Sequence, residues 1–564
     1  MTAVSTSTSA RAVPPAVGRP GGRFPVRSMG RVPGIGVLVV VLVLIVIAVP
    51  VAAVLLRAVR PDGVWSTASI TRILGSPRIW RLVVVTVGQA AVSCVVTVAA
   101  GVPIAWVLSR FRFAGRSFLR TLATVPFVLP TVVIGAAFAS FLGPRGLVDA
   151  RGTWWAIIAA HLCFNLAVVI RTVGSSLSAL DPDQESAARL LGAGPMGAAR
   201  RVVLPAVLPA IAASGIVVFL FCLTSFGVIV ILGGGSVSTI EVEIWTRATR
   251  QFDISGAGVL CAVQLVAVLA TLSVHARITR RTVHGRRVSA GRTTRVPAGV
   301  AEWLAVCAAA AGVFVISGLP IAALVERSLR VGDSFGLSHW QDLGSVTEGT
   351  MLRVDPVDAV LNSLVSASIA AAAAIVCGVL GARVVARRPG GRADRVMLLP
   401  IGVSATTIGL GLLLAVGRPP LDLRRSMWIV PIAQAVVALP LVVRSVLPAL
   451  RSLPDSLGDA GALLGVGPSA RFWRIELPAI RSAVVAGAGL AFVACLGEFG
   501  ATVFLARADR PTVPVAIERL MSRPGGAGFG QAMALSCILL VICAVVLVLV
   551  DRGVSGEDGL DLAF

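Results

Sequence analysis

Apolar residues gather into about twelve runs long enough to cross a bilayer, separated by segments rich in arginine, glycine and proline. In the first half of the chain the runs lie near 34–57, 82–108, 119–142, 154–174, 205–232 and 255–276. In the second half they lie near 301–325, 360–386, 396–416, 427–446, 479–504 and 530–550. A helix needs about 20 mostly apolar residues to span the hydrocarbon core. Lipid offers no partner for backbone N–H and C=O groups, so helices, which satisfy them internally, are the expected spanning form. The alternating pattern of a membrane barrel is absent. The pattern therefore predicts an all-α membrane protein of about twelve transmembrane helices.

The polar segments carry a repeat. Ser186-Ala187-Ala188-Arg189-Leu190-Leu191-Gly192-Ala193-Gly194-Pro195 closes at Val202-Val203-Leu204-Pro205. Asp459-Ala460-Gly461-Ala462-Leu463-Leu464-Gly465-Val466-Gly467-Pro468 closes at Ile475-Glu476-Leu477-Pro478. In each copy the leading glycine and the closing proline are 13 residues apart, and Gly465 follows Gly192 by 273 residues in a chain of 564. The register extends further: Arg171 matches Arg444, Ser225-Phe226-Gly227 matches Glu498-Phe499-Gly500, and Ile244 matches Ile517. This is a duplicated six-helix unit with one structured polar loop per copy. The glycines permit a helix to end and the chain to turn, and the following prolines favour the start of another helix.

Composition agrees, with 56% hydrophobic residues, 14% charged residues and a mean hydropathy of +0.91. The chain has no lysine and no tyrosine, so its basic charge is all arginine. Arg11, Arg19, Arg23, Arg27 and Arg31 precede the first run, and Arg277, Arg280, Arg281, Arg286, Arg287, Arg292 and Arg295 occupy the connection between halves. Arg110, Arg112, Arg116 and Arg120 follow the second run, and Arg383, Arg387, Arg388, Arg392 and Arg395 follow the eighth. Positive loops stay cytoplasmic, which places both termini, the central linker and both repeated loops in the cytosol. The 326–358 segment, with six acids against three arginines, is expected outside. The first 33 residues, rich in Ser, Pro, Gly and Arg, read as a disordered tail rather than a cleavable signal.

A net charge of +23 does not indicate nucleic acid here, because the arginines sit at helix ends where anionic lipid headgroups attract them. The nine cysteines all fall in the apolar runs without metal-ligand spacing and read as small packing residues. No metal site and no cofactor of its own is expected for this chain. Without lysine there is no phosphate-binding Walker A loop, so ATP and Mg would be used by a partner, and the chain itself is not expected to be an enzyme.

The two loops resemble the cytoplasmic "EAA" signature of permease subunits of bacterial binding-protein-dependent ABC importers. That signature reads Glu-Ala-Ala, three residues, Gly, nine residues, Ile, one residue, Leu-Pro. Ala187, Ala188, Gly192, Leu204 and Pro205 match in the first copy, where Ser186 replaces the acid, Glu185 lies one position early and Val202 replaces Ile. Ala460, Gly465, Ile475, Leu477 and Pro478 match in the second, with Asp459 for Glu and Gly461 for Ala. The resemblance implies a pseudo-dimeric type I importer permease in the bacterial cytoplasmic membrane. Its loops would dock, as coupling elements, on an ATP-binding ABC subunit present in two copies, and an extracytoplasmic substrate-binding protein would deliver the solute. It divides the chain into a cytoplasmic tail (1–33), a first permease half (34–277), an Arg-rich linker (278–299), a second half (300–551) and a C-terminal tail (552–564).

A fused double permease of this length is similar to the thiamine and ferric-iron branch. The 224–235 run with Thr239-Ile240-Glu241-Val242-Glu243-Ile244-Trp245 looks most like thiamine-type permeases, and the 496–502 run like both. Sulfate, molybdate, polyamine or another small solute remain alternatives, as does an ion-coupled secondary transporter built from two parallel repeats. An ionisable group at membrane depth is a candidate pathway residue, which singles out Glu498 for a cationic solute. Thr224, Ser225, Asn165, Gln434 and His161 are further candidates, although such side chains also serve as interhelical hydrogen-bonding groups. Pro126, Pro130 and Pro400, with Gly135 and Gly409 in corresponding spans, predict kinks beside the pathway.

Overall fold

The computed structural model describes residues 34–143, 146, 148–282, 294–345, 354–387, 391–417, 422–523 and 528–554. The expected N-terminal tail, residues 283–293 of the linker and residues 555–564 lie outside the described residues. Among the described residues nine helices are long and apolar enough to cross a membrane, or twelve if three sharply bent pairs each count as one span.

The first half runs α1 (Gly34–Val59), α2 (Pro77–Arg110), α3 (Arg116–Val128), α4 (Thr131–Phe141) and α5 (Trp154–Ser178). It continues with a short α6 (Pro182–Leu190), then α7 (Leu204–Leu223), α8 (Gly227–Leu232), α9 (Ile240–Thr249) and α10 (Ile254–Thr282). The second half opens with α11 (Val300–Val313), which passes through a π turn into α12 (Leu319–Leu329). A two-strand hairpin follows, β1 (Arg330–Val331) with β2 (Ser334–Phe335), antiparallel with Arg330 opposite Phe335. Then come α13 (Pro356–Arg387), α14 (Arg392–Leu398), α15 (Ala405–Ala415) and α16 (Ile429–Ser452). The chain ends with α17 (Asp455–Leu463), α18 (Arg481–Leu496), α19 (Thr502–Leu505), α20 (Val513–Met521) and α21 (Phe529–Val554).

The kinks fall where proline and capping residues put them. Between α3 and α4 the direction changes by 110°. Leu129, forced out of the helical region by the ring of Pro130, is extended there at φ −68°, ψ 145°. The corresponding bend of 99° follows Pro400, and Ser404 starts α15 by accepting a hydrogen bond from the Thr407 N–H at 3.2 Å. Gly135 and Gly409 lie just beyond the bends at close approaches: a methyl on Gly409 would lie 2.6 Å from Ala501 Cα, and one on Gly135 2.9 Å from Ile231 Cβ.

Two further expected spans are not continuous. The 205–232 run breaks at Thr224–Phe226 between α7 and α8, and the 479–504 run breaks at Gly497–Ala501 between α18 and α19. In both, the last helical turn closes on a residue whose N–H bonds back to the helix, and a Phe-Gly pair follows.

The halves exchange their first helices. α1 packs on α15, α13 and α14 of the second half as well as on α10 of its own, while α11 packs on α2 of the first half and α12 lies between α4 of the first half and α21 of the second. One stripe of α1 (Val39, Val43, Ile47, Pro50, Val54) is buried, its Val54 end close to Gly258 of α10, and Leu38, Leu42, Ile45 and Val49 face outward toward lipid. The fit is close. A methyl on Gly411 would lie 2.5 Å from the Pro50 carbonyl oxygen, and one on Gly36 2.6 Å from Val384. Small residues of this kind let helices approach where lipid gives no hydrophobic drive to associate.

Candidate functional site

Each repeated loop is a short helix, a left-handed glycine turn and a second short helix. α6 ends at Gly192, φ +86°, and α17 ends at Gly465, φ +71°. In the first copy the Ala193 N–H reaches the Ala188 carbonyl at 3.0 Å and the Gly192 N–H the Arg189 carbonyl at 3.0 Å. In the second the Val466 N–H reaches the Gly461 carbonyl at 2.9 Å. These bonds satisfy the last carbonyls of the helix only if the residue beyond it is left-handed, the reason glycine stands at both positions. A π turn then leads each loop into its next helix, through Ala199–Val203 to Leu204-Pro205 and through Phe472–Glu476 to Leu477-Pro478.

Within these loops Ser186, Ala187, Asp459 and Ala460 are exposed, Ala188 is half-buried, and Glu185 and Gly461 are buried. Gly461 faces Ile475, and a methyl added there would lie 3.1 Å from Ile475 Cδ1. In the other copy the counterpart pair is Ala188 and Val202. The two departures from the signature compensate each other in volume. Sequence reading did not single out the residues between them. Leu190 and Leu191 are 89% and 88% exposed, and Leu463 and Leu464 are 90% and 82% exposed. A pair of bare leucines thus stands at the same place on each loop, an apolar surface that the rest of the fold leaves uncovered.

The loops are tied to the membrane helices by arginines one repeat apart. Arg110, at the end of α2, makes two hydrogen bonds to Glu185 at 2.9 and 3.1 Å, and Arg189 adds a third at 2.8 Å. Arg383, the counterpart on α13, donates to Glu476 at 2.7 Å, and Arg471 lies 3.0 Å from the same carboxylate. Both acids are largely buried, so each pairing offsets the desolvation of a carboxylate.

Inside the membrane the candidate polar residues form two networks at corresponding places. In the first half His161 bridges Ser93 (3.1 Å) and Ser225 (2.9 Å), and the Asn165 amide donates to the His161 carbonyl (3.0 Å). In the second, Ser366 donates to Gln434 (2.6 Å), whose amide donates to the Cys495 carbonyl (2.9 Å). Ser366 and Gln434 are the counterparts of Ser93 and His161. The Thr224 hydroxyl bonds back to Leu220 at 3.0 Å.

Glu498, the counterpart of Ser225, is 6% exposed. Its oxygens accept from the N–H groups of Ala501 (2.7 Å) and Thr502 (3.0 Å), capping α19. The next residue forms a contact the sequence hid. Phe226 and Phe499 hold the same position in the two halves and stack on each other, with centroids 5.1 Å apart and planes 24° apart. Nearby, a methyl on Gly497 would lie 2.8 Å from Pro130 of the opposite half. The two helix breaks thus meet at the seam between halves.

Ser366 also borders a cavity of about 310 Å³ shared with Asn362, Thr512, Arg507 and Arg510. Among the described residues no group of His, Cys, Asp or Glu is arranged to hold a metal ion.

Comparison with known proteins agrees with this architecture. Residues 98–284 and 374–554 each match the family described as "Binding-protein-dependent transport system inner membrane component". The sulfate transport system permease protein CysT of Salmonella typhimurium is 32% identical over 234 residues, 39% of this chain and 84% of that protein. The thiamine transport system permease protein ThiP of Brucella abortus is 26% identical over 498 residues, 85% of this chain and 88% of that one. A probable ABC transporter permease of Sinorhizobium fredii, y4fN, is 24% identical over 465 residues, 78% of this chain and 81% of that one. With both halves matched, the chain belongs to the binding-protein-dependent transport system inner membrane components as a fused double permease subunit of an ABC importer, a multi-pass membrane transport protein.

Proposed function

We propose that this permease imports thiamine or ferric iron, driven by two copies of an ATP-binding ABC subunit that seat on the two loops. In this reading an extracytoplasmic binding protein delivers the solute, and the halves part along the Phe226–Phe499 seam as the ATPases close on ATP. The observation that carries the coupling is the pair of exposed leucines on each loop, Leu190-Leu191 and Leu463-Leu464, held by the same glycine turn in both copies. Glu185, Ser186, Ala187, Ala188, Asp459, Ala460 and Gly461 form the helix beside them, and Leu204-Pro205 and Leu477-Pro478 pass its movement to α7 and α18.

The thiamine reading is supported by a match to a thiamine permease across 85% of this chain and by a carboxylate, Glu498, beside the seam. Two observations favour an anionic solute such as sulfate instead. The sulfate permease is the more identical relative over the part it matches, and two arginines border the cavity at Ser366.

The test is purification with the ATPase subunit, combined with cysteine labelling in a background without native cysteines. Ser334→Cys should react from outside and Ser456→Cys only after permeabilisation, with the ATPase co-purifying. The opposite labelling would overturn the coupling role. Uptake of radiolabelled thiamine, ferric iron and sulfate by the assembled system then separates the solutes.

A further inference from the structure

Glu241, at the start of α9, is fully buried and crosses the boundary between halves to meet the Thr406 hydroxyl on α15. One of its oxygens, Oε1, has no partner among the described residues. Ser404 and Gln264 lie beside the same carboxyl. Gln264 is itself fully buried, gives its N–H to the Leu223 carbonyl at 3.1 Å, and leaves its own Oε1 without a partner. Two adjacent acceptors, one on a carboxyl group, share a place that lacks a donor, one that a proton or a cation would fill.

Among the described residues no arginine is paired with that carboxyl. The arginines of the same element are engaged elsewhere: Arg247 with Glu243 and Asp253, and Arg250 over the Trp245 ring at 4.7 Å. The second acid of the seam converges on the same place. A methyl at Gly500 would lie 3.0 Å from Ala405 Cβ, 3.5 Å from Thr406 N and 3.6 Å from Glu498 Oε1. Glu241 comes from the first half and Glu498 from the second, and both approach the first turn of α15. Glu498 has both oxygens engaged by backbone N–H groups, whereas Glu241 keeps one free. The repeat does not require this acid, because its counterpart in the second half is Pro514.

We propose that Glu241, with Gln264 beside it, is the residue of the translocation pathway that recognises a cationic solute. This rests on the reading that the solute crosses at the seam between halves. Parting of the halves breaks the Glu241–Thr406 contact and frees the whole carboxylate, while Gln264 offers a neutral oxygen at its side. Glu498 contributes negative charge without giving up its cap.

The experiment compares Glu241→Asp and Glu241→Gln in the full system with its ATPase and binding protein, after both are shown to assemble. The solutes are radiolabelled thiamine, ferric iron and sulfate. Wild type should take up one of the cations. Glu241→Gln, which keeps size and hydrogen bonding but not charge, should lower that uptake about ten- to a hundredfold, mainly through apparent affinity. Glu241→Asp, which keeps the charge, should retain more uptake than Gln. Cation uptake that Gln supports as well as or better than Asp would overturn the assignment and leave the substrate reading intact. Uptake of sulfate and of neither cation by wild type would overturn both.

Discussion

The two loops have the same backbone but take their anchoring acid from different places. In the first, Glu185 sits on the loop helix, ahead of the glycine turn, and Arg110 reaches it from α2. In the second, Glu476 sits after the turn, in the π segment, and Arg383 reaches it from α13. The arginines are strict counterparts, while the positions matching the acids are Gly458 and Val203. What the duplication kept is the turn, the exposed leucines and a cation at the end of the membrane helix. The acid needed only to lie within reach of that cation, and either side of the turn supplies such a position. The same tolerance shows in packing, where Ala188 with Val202 and Gly461 with Ile475 divide a similar volume in two ways.

The largest expected effect separates what the loops share from what they do not. Leu463→Ser with Leu464→Ser should leave the permease folded, because those side chains face solvent. It should weaken ATPase binding about a hundredfold or more, the worth of two leucines buried at an interface. Leu190→Ser with Leu191→Ser should behave alike in pull-down titrations, and a large difference between the pairs would mean that only one loop docks.

Removing the acids comes next. Glu476→Ala leaves three arginines without their common partner and Glu185→Ala leaves two, so detergent unfolding should register losses of about 2–4 kcal/mol, larger for Glu476. Equal losses would show that the second and third arginines contribute little. Gly465→Ala and Gly192→Ala should each cost about 1–2 kcal/mol through backbone strain alone, since nothing lies within 4 Å of either added methyl. Gly465→Leu should add a loss of transport and of substrate-stimulated ATPase activity with normal membrane insertion, and Gly192→Leu should follow more weakly. The smallest effect is the packing swap. Gly461→Ala should cost about 1 kcal/mol, and Ile475→Val in the same chain should recover part of it. Simple additivity in that double-mutant cycle would show that the two positions do not compensate.

Much of this was legible because lipid makes the sequence speak in long apolar runs, and because duplication let each half read the other. The bends at Pro130 and near Pro400 and the turns at Gly192 and Gly465 follow from local backbone chemistry, and sequence carries that well. The breaks at 224–226 and 497–501 were hidden, because Phe-Gly within an apolar run looks like more helix. Their role depends on the stack of Phe226 on Phe499, a contact across the halves. Glu241 was visible as a letter within a family-like run. Its burial was not, because part of the burying surface, Thr406 on α15, belongs to the other half. The leucine pairs were masked for the opposite reason: in an apolar chain, exposure rather than hydrophobicity is the signal.

The exchange of first helices bears on how such a chain can be made. Gly411 follows Pro50 by 361 residues, yet each fills the other's surface. During synthesis α1 enters the bilayer long before α13 to α15 exist, and its buried stripe of Val39, Val43, Ile47 and Val54 faces lipid in the meantime. Lipid tolerates that exposure without penalty, as water would not. Neither half can then reach its final packing as a free-standing unit, and joining them in one polypeptide guarantees that the waiting helix meets its partner in equal number and in the same patch of membrane.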